Sequence, residues 1–430
     1  MTTTFISKKM LIIILLAIFS QIGYSLLAPL YPFLAEERGI TPSLVGIIFS
    51  SFAISNFLLT ILTPILTKIC GRKNLLILAI LIESSCTIWF GLISFIHKRL
   101  LFIILSFIIR FFQGAGGAIV QTLIYALTAA ISDEKEIEIN LGYIEVGTSI
   151  GIAIGPLIAS VGYYMFGFNF PFFISGFMEM LLISLVNYLD IHKYDEDDEN
   201  EENEKIEILP IIKNRNIILT FFAVALDSIS ISFIYPVFAN HLNKNFGLEP
   251  EQTALFFIIT TIFYFLSLQI LSHANKFFGN RITMSIGMFF NTFFILFLGP
   301  SSFLPHKLYI IIIGLAGLGF GGSFITIPAV IDAIIILKEE LKINESSSQD
   351  YASAVYNLGY FLGETIGPLF GGHLTQKFGF IHACNINCAT NFLFAFIYIS
   401  FAIFDKVFKH KKREKEEKLL INEGEFEKLI

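Results

Sequence analysis

A chain of 430 residues that is 55% hydrophobic and only 15% charged, with a mean hydropathy of +0.72, has too few polar side chains to clothe a water-soluble fold. The net charge of -6 comes with no basic face to neutralise phosphates, which excludes a nucleic-acid binder. The composition is that of an all-α integral membrane protein.

Crossing about 30 Å of hydrocarbon at about 1.5 Å per residue takes roughly 20 apolar residues. Lys8 and Lys9 precede the first such run, which exceeds a signal-peptide core and lacks a small-residue cleavage site at its end. Twelve spans are predicted, over 11–33, 43–66, 74–96, 99–127, 141–163, 169–189, 216–239, 251–273, 282–304, 308–336, 351–376 and 380–404. The corresponding division is a six-helix bundle over 1–189, an acidic linker over 190–215, a second six-helix bundle over 216–404 and a tail over 405–430.

Between spans 6 and 7, residues 190 to 207 hold ten acids against Lys193 and Lys205, a solvated linker whose like charges repel. An even number of spans puts both termini on one side. That side carries 22 Lys and Arg, against six on the other and Arg110 within span 4, so termini and linker are expected in the cytosol. Cys70, Cys86, Cys384 and Cys388 are too few for a disulfide framework and have no histidine at metal spacing, so core packing accounts for them and neither a metal nor a cofactor is expected. The eight histidines fall in or near loops, in the tail or at span ends. There is no P-loop and no nucleophile with a base, so no enzyme is read.

The chain repeats itself. GTSIGIAIGP in span 5 places Gly147, Gly151, Gly155 and Pro156 as GYFLGETIGP in span 11 places Gly359, Gly363, Gly367 and Pro368, 212 residues later. Lys68 and Gly71 answer Lys276 and Gly279; Gly39 and Pro42 answer Gly247 and Pro250; Gly114, Gly116 and Gly117 answer Gly319, Gly321 and Gly322. Glycine every fourth residue leaves a stripe against which another helix can pack closely. Matched stripes ending in Gly-Pro are read as paired gate helices around a central site, as a rocking-bundle transporter requires.

RFFQGAGGA, with Arg110, Gln113, Gly114 and Gly116, is similar to the span-4 motif of the major facilitator superfamily, and GTSIGIAIGP to the span-5 antiporter motif of its drug:proton antiporter branch. Within that branch, LLAPLYPFLAEERG, GYIEVGTSIGIAIGP and YNLGYFLGETIGPLFGG resemble the vesicular amine transporters, most closely their polyamine transporter-like members. The resemblance implies a fold of two pseudo-symmetric six-helix bundles, with spans 1, 4, 7 and 10 around a cavity where protons exchange for a cytosolic organic cation. Gly71, Arg72 and Lys73 fit the superfamily's cytoplasmic loop motif, but Lys68 stands where that motif has an aspartate. Where the monoamine members carry acids this chain has Ser20, Asn357 and, before Pro236, Tyr235.

An ionisable group at mid-membrane costs about 2.5–3.5 kcal/mol on insertion scales, so each one retained is a functional candidate. Seven are present. Arg110 is foremost, because a guanidinium cannot escape by deprotonation. Asp227 in span 7, Glu364 inside the span-11 stripe and Glu145 ahead of the span-5 stripe follow as groups coupling protons to substrate. Glu145 has one competing role, an ion pair with Arg110 across spans 4 and 5. Asp332 stands near Lys338, either a coupling group or a carboxylate reaching cytosolic water, and Glu83 and Glu179 in spans 3 and 6 are assigned to packing at the periphery. Gln21, Tyr24, Tyr31, Gln113, Tyr235, Tyr356 and Asn357 are expected to line the cavity, the tyrosines by boxing a cation with their rings.

In the tail, Glu416 with Leu420 and Ile421, and Glu425 with Leu429 and Ile430, fit acidic dileucine signals read by sorting adaptors, in keeping with a vesicle or endolysosomal membrane; the plasma membrane is the alternative. The favoured reading is a proton-coupled exporter of organic cations. The alternatives are a uniporter or symporter of a neutral or anionic solute anchored by Arg110, and a membrane sensor that transports nothing.

Overall fold

The computed structural model describes residues 7–132, 136–189, 191, 208–300 and 304–426, and among them the chain is helical with no strand. Eleven helices there are long and apolar enough to cross a membrane. The twelfth, Glu345–Phe378, is 34 residues long, but its glycines and polar residues dilute its hydropathy. Spans 2, 3, 4 and 5 are Pro42–Cys70, Arg72–Leu92, Arg99–Ile131 and Ile137–Phe166. Spans 8, 10 and 11 are Pro250–Phe278, Leu308–Glu339 and Glu345–Phe378, and span 12 begins the helix Phe380–Phe426.

Four predicted spans differ in detail. Span 1 is two helices, Lys8–Ser25 and Leu27–Glu37, meeting at Leu26. Span 7 is not continuous over 216–239: Arg215–Ser232 gives way to turns at residues 233–237, where Pro236 cannot donate to a helical ladder, before Phe238–Phe246 resumes. Span 9 runs Asn280–Leu298 and stops short of 304, because Gly299 and Pro300 end it. Span 6 is helical over Asn169–Leu181 and finishes in short pieces to Leu189. In the expected linker, residues 190 and 192–207 lie outside the described residues and Ile208–Lys213 is a short helix. The tail side chains beyond 404, dileucine signals included, also lie outside them.

The corners after spans 2 and 8 explain the paired Gly71 and Gly279. Their φ angles of 75° and 83° lie in the left-handed region, which glycine enters without a Cβ penalty, and each turn reverses the chain in a single residue.

The two stripes pack inside their own halves. Gly147, Gly151 and Gly155 seat span 5 on Ile14, Ile18 and Ser25 of span 1, and Gly359, Gly363 and Gly367 seat span 11 on Phe221, Ala225 and Ser232 of span 7. A Cβ at Gly359 would stand 2.8 Å from the Phe221 carbonyl. The glycines of the stripes therefore clamp spans 1 and 7 to their partners, while Pro368 at the end of the second stripe meets Gly46 of the opposite half.

The halves touch at the end that carries Pro42 and Pro250. There Gly46 meets the backbone of Pro368 and Gly372 that of Pro42. The Ser50 hydroxyl donates to the Thr365 carbonyl at 2.7 Å, the Asn240 amide to the Pro32 carbonyl at 3.0 Å, and Lys244 pairs with Glu36. Ala254 of span 8 is buried in the same apolar cluster as Leu26, Leu30 and Phe49 of the first half. Toward the opposite end, the Gly71 end, span 2 exposes Leu58, Ile61, Leu62, Ile65 and Ile69.

Candidate functional site

About a third of the way along span 4, Arg110 is only 1% exposed. Its Nη1 donates to Gln113 Oε1 at 2.6 Å, three residues on and so on the same face of the helix. Gln113 is held in turn, its Nε2 donating to Thr87 Oγ1 at 2.9 Å and to the Gly23 carbonyl at 3.3 Å. Aromatic rings supply most of the remaining wall: the guanidinium carbon lies 4.2 Å from the ring centre of Phe52, 5.4 Å from that of Tyr24 and 5.8 Å from that of Phe49. Each such contact attracts a desolvated cation by about 0.5–2 kcal/mol. Nε has no hydrogen-bond partner among the described residues.

Facing Arg110 from the second half is Glu364 of span 11. It accepts a hydrogen bond from the Tyr24 hydroxyl at 2.7 Å, and Tyr360 lies beside it. Arg110 and Glu364 attract each other across the interface without a direct bond. Tyr235 closes the group, its ring centre 6.3 Å from Tyr24 and 6.4 Å from Phe49. The break in span 7 is what turns Tyr235 toward span 1. A buried acid, a buried base and five aromatic side chains thus meet between the halves; Arg110 and Glu364 are withdrawn from solvent, where electrostatic attraction is strong, while Tyr24, Tyr235 and Tyr360 are half-buried.

A second polar group lies toward the Gly71 end. Tyr356 stacks on Tyr360 with ring centres 6.2 Å apart and neighbours Tyr264, Glu145 and Asp227. Glu145 is exposed and accepts a hydrogen bond from Tyr125, so the ion pair with Arg110 does not form. Asp227, buried, accepts from Asn291 Nδ2 at 2.6 Å, with Gly322 leaving room beside it.

Other expected site residues stand elsewhere. Tyr31 is fully buried in the core of the first half, stacked on Phe102 at 5.8 Å and edge-on to Phe90 at 5.3 Å, where the tight helix pairing leaves no cavity for it to line. Asp332 neither joins the central group nor reaches water: Arg281 Nε bonds its two oxygens at 3.1 and 3.2 Å and Thr220 donates at 3.2 Å. Gln21 reaches Gln121 of span 4 at 3.4 Å, and Asn357 is exposed on span 11. Gly71 forms the corner already described, and Arg72, directly after it, is buried.

Reading the sequence missed three features. Tyr360 is one, although Tyr356, Tyr360 and Glu364 recur every fourth residue and so share a helix face, a signal available without coordinates. The aromatic wall of Phe49 and Phe52 is another, unremarkable among 48 phenylalanines. The third is that Glu83 and Glu179 point at each other and not outward.

The sequence profile of the Major Facilitator Superfamily matches residues 13–334 and 220–428. The chain is 25% identical over 405 residues to the MFS-type transporter SLC18B1 of Rattus norvegicus, covering 90% of this chain and 85% of that one. It is similar in fold to the nucleoside transporter NupG, with a TM-score of 0.72 at 12% identity over 92% of this chain and 99% of that one. It is likewise similar to a bacterial homologue of the human lysosomal transporter Spinster in an inward-facing, unoccupied conformation, with a TM-score of 0.71 at 12% identity over 93% and 97%. These matches agree with the resemblance carried by the span-4 and span-5 motifs.

Proposed function

The chain belongs to the Major Facilitator Superfamily, and from that membership we propose that it exchanges protons for a small organic cation, an amine or polyamine, by alternating access. A multi-pass secondary transporter, and not an enzyme, is what the family and the relatives establish. The observation that carries the finer reading is Glu364, a buried carboxyl held by Tyr24 of the opposite half and faced by Arg110. A carboxyl in that setting has two ways to be neutralised, by a proton or by a cationic ligand, and the two compete for one site. Aromatic side chains around it suit an ammonium group.

Alternating access follows from the same contact. Tyr24 and Glu364 belong to different halves, so rocking the halves apart at the Pro42 end breaks their hydrogen bond, and a proton or a cation arriving at Glu364 changes the balance between the two arrangements. The excess of Lys and Arg supports a cytosolic Gly71 end. Contacts concentrated at the Pro42 end, together with the exposed Glu145, support a state accessible from the cytosol. The vesicular resemblance and the tail signals support an acidic organelle, with sorting adaptors as partners.

The anionic-solute alternative draws on the unpartnered Nε of Arg110. One experiment separates the two. Proteoliposomes with an acid interior are offered labelled spermidine, a labelled sugar and a labelled organic anion; accumulation of spermidine that collapses with a protonophore is expected. Uptake of the sugar or the anion alone, indifferent to the pH gradient, would overturn the cation reading.

A further inference from the structure

Behind Arg110, inside the first half, the carboxyl groups of Glu83 (span 3) and Glu179 (span 6) lie within hydrogen-bonding reach of each other, each 1% exposed. Ser20 of span 1 donates to Glu83 Oε1 at 2.7 Å. As two ionised carboxylates, Glu83 Oε2 and both oxygens of Glu179 would have no donor among the described residues. An ionised carboxylate accepts and cannot donate, so two of them in contact leave the shared edge repulsive and unsatisfied; one proton converts that edge into a hydrogen bond. We propose that Glu83 and Glu179 hold one shared proton, making a proton-binding site in the first half separate from Glu364.

The surroundings assign the roles within the pair. Glu83 has the Ser20 hydroxyl and the nearby positive charge of Arg110, so it carries the negative charge. Glu179 has only Glu83 and is the protonated donor. The titratable groups that face the pair are Cys86 of span 3 and Arg110 of span 4, while span 1 presents Ser20. Span 4 passes close by: a Cβ at Gly117 would stand 3.1 Å from Glu83 Oε1, and one at Gly116 2.9 Å from Glu83 Cβ. Those two glycines let the acid lie against the helix that carries Arg110.

The second half sharpens the contrast. Glu83 and Asn291 occupy equivalent positions, twelve residues after Gly71 and Gly279, and each bonds to the first helix of its half. Where the second half sets the neutral amide of Asn291 against Asp227, the first half sets an acid that needs a proton to be accommodated. The site is also wired to the centre. Gln113, which holds Arg110, bonds Thr87, and the Thr87 hydroxyl donates to the backbone carbonyl of Glu83, one turn back in span 3, at 3.0 Å. Loss of the shared proton would put a second negative charge beside Arg110 and draw the guanidinium away from Glu364.

This use of the pair in coupling rests on the proton-antiport reading, and the test keeps the two apart. Infrared spectra of the full chain in liposomes at neutral pH, without substrate, are expected to contain a carboxylic-acid carbonyl band that E83Q and E179Q each remove. Glutamine imitates a protonated acid in shape, so both variants should insert and fold; E179D, which shortens the donor by one methylene, shifts the band should E179Q express poorly. A band unchanged in both glutamine variants, or absent from the wild type, overturns the pair. In transport, each proton lost from the cycle lowers the accumulation of labelled spermidine about tenfold at a one-unit pH difference, measured relative to counterflow. An undiminished ratio in both variants overturns the coupling role. A wild-type chain that has the band but accumulates no amine under a gradient would instead defeat the antiport reading.

Discussion

The Tyr24 hydroxyl donates to Glu364 at 2.7 Å across the boundary between the two halves, joining residues 340 positions apart in the chain. Hydrogen bonds to charged groups contribute about 1.5–3 kcal/mol, and this one exists only while the halves meet. Tyr24→Phe should therefore weaken gradient-driven uptake of labelled spermidine about tenfold and speed the opening of the Pro42 end, which a fluorophore pair spanning the Ser43 and Gln376 positions would read. Uptake and opening rates equal to wild type would deprive the bond of any role.

Arg110→Ala is expected to reduce transport to background while leaving an inserted, folded chain, since its guanidinium is held by Gln113 and by rings and does not carry a hydrophobic contact that folding depends on. Arg110→Lys should recover little, because an ammonium cannot repeat the planar fork over Phe52 and toward Gln113. Uptake by the alanine variant near the wild-type rate, at matched expression, would make Arg110 structural.

For Glu145 the structure removes the competing role, since its partner is Tyr125. Glu145→Gln should lose proton-driven accumulation but keep counterflow of preloaded substrate. Because the residue is exposed, its thermal stability should stay within about 0.5 kcal/mol of wild type. Full gradient-driven accumulation in this variant would eliminate a coupling role.

Ser43 and Gln376 face each other where the halves meet, the Ser43 amide donating to the Gln376 side chain at 3.3 Å. Cysteines at both positions, with Cys70 replaced by serine, should cross-link on mild oxidation and stop transport, and a reductant should restore it. Transport that continues in the oxidised, cross-linked protein would show that this end need not open.

Asn344 begins the chain's N-x-Ser sequon and caps the helix Glu345–Phe378, its side chain accepting from the Ser347 amide at 2.8 Å. On the cytosolic side it should stay unglycosylated, and Asn344→Gln should cost about 1 kcal/mol through the lost cap with no change in glycosidase sensitivity. A glycosidase-sensitive mass that the variant loses would reverse the topology.

Hydropathy and repeats carry the architecture because they are properties of whole segments: some twenty apolar residues must become a buried or lipid-facing helix wherever they sit. The twelve spans and the matched halves were legible for that reason. The site was legible only in part. Arg110 and Glu364 announce themselves by the cost of burying charge, yet nothing in one dimension says that Tyr24 reaches Glu364, that Tyr31 turns into the core, or that Arg281 takes Asp332. Those outcomes depend on which face each helix turns to its neighbour. The glycine stripes illustrate the limit: their spacing shows that a helix packs there closely, but whether the neighbour lies in the same half or the other is decided by the tertiary arrangement.

The interruptions at Leu26 and at residues 233–237 fall at corresponding points of spans 1 and 7. Through the second of them the chain is stitched by three-residue bonds of 3.2–3.4 Å, such as Tyr235 to the Ser232 carbonyl, instead of a continuous helical ladder. Beyond these points, Leu27–Glu37 and Phe238–Phe246 are short rods clasped to each other by Asn240 with Pro32 and by the exposed pair Lys244 with Glu36. Such a clasp is worth on the order of 1–2 kcal/mol, since an exposed ion pair adds little and one amide bond about 1 kcal/mol. Tyr31 and Phe238 anchor each rod in the core of its own half, so the rods part with their halves and only the clasp between them has to be undone. Leakage past the aromatic group would then be limited by a latch at the rim, and tuning its two contacts would change how fast the carrier releases cargo without altering how tightly the centre holds it.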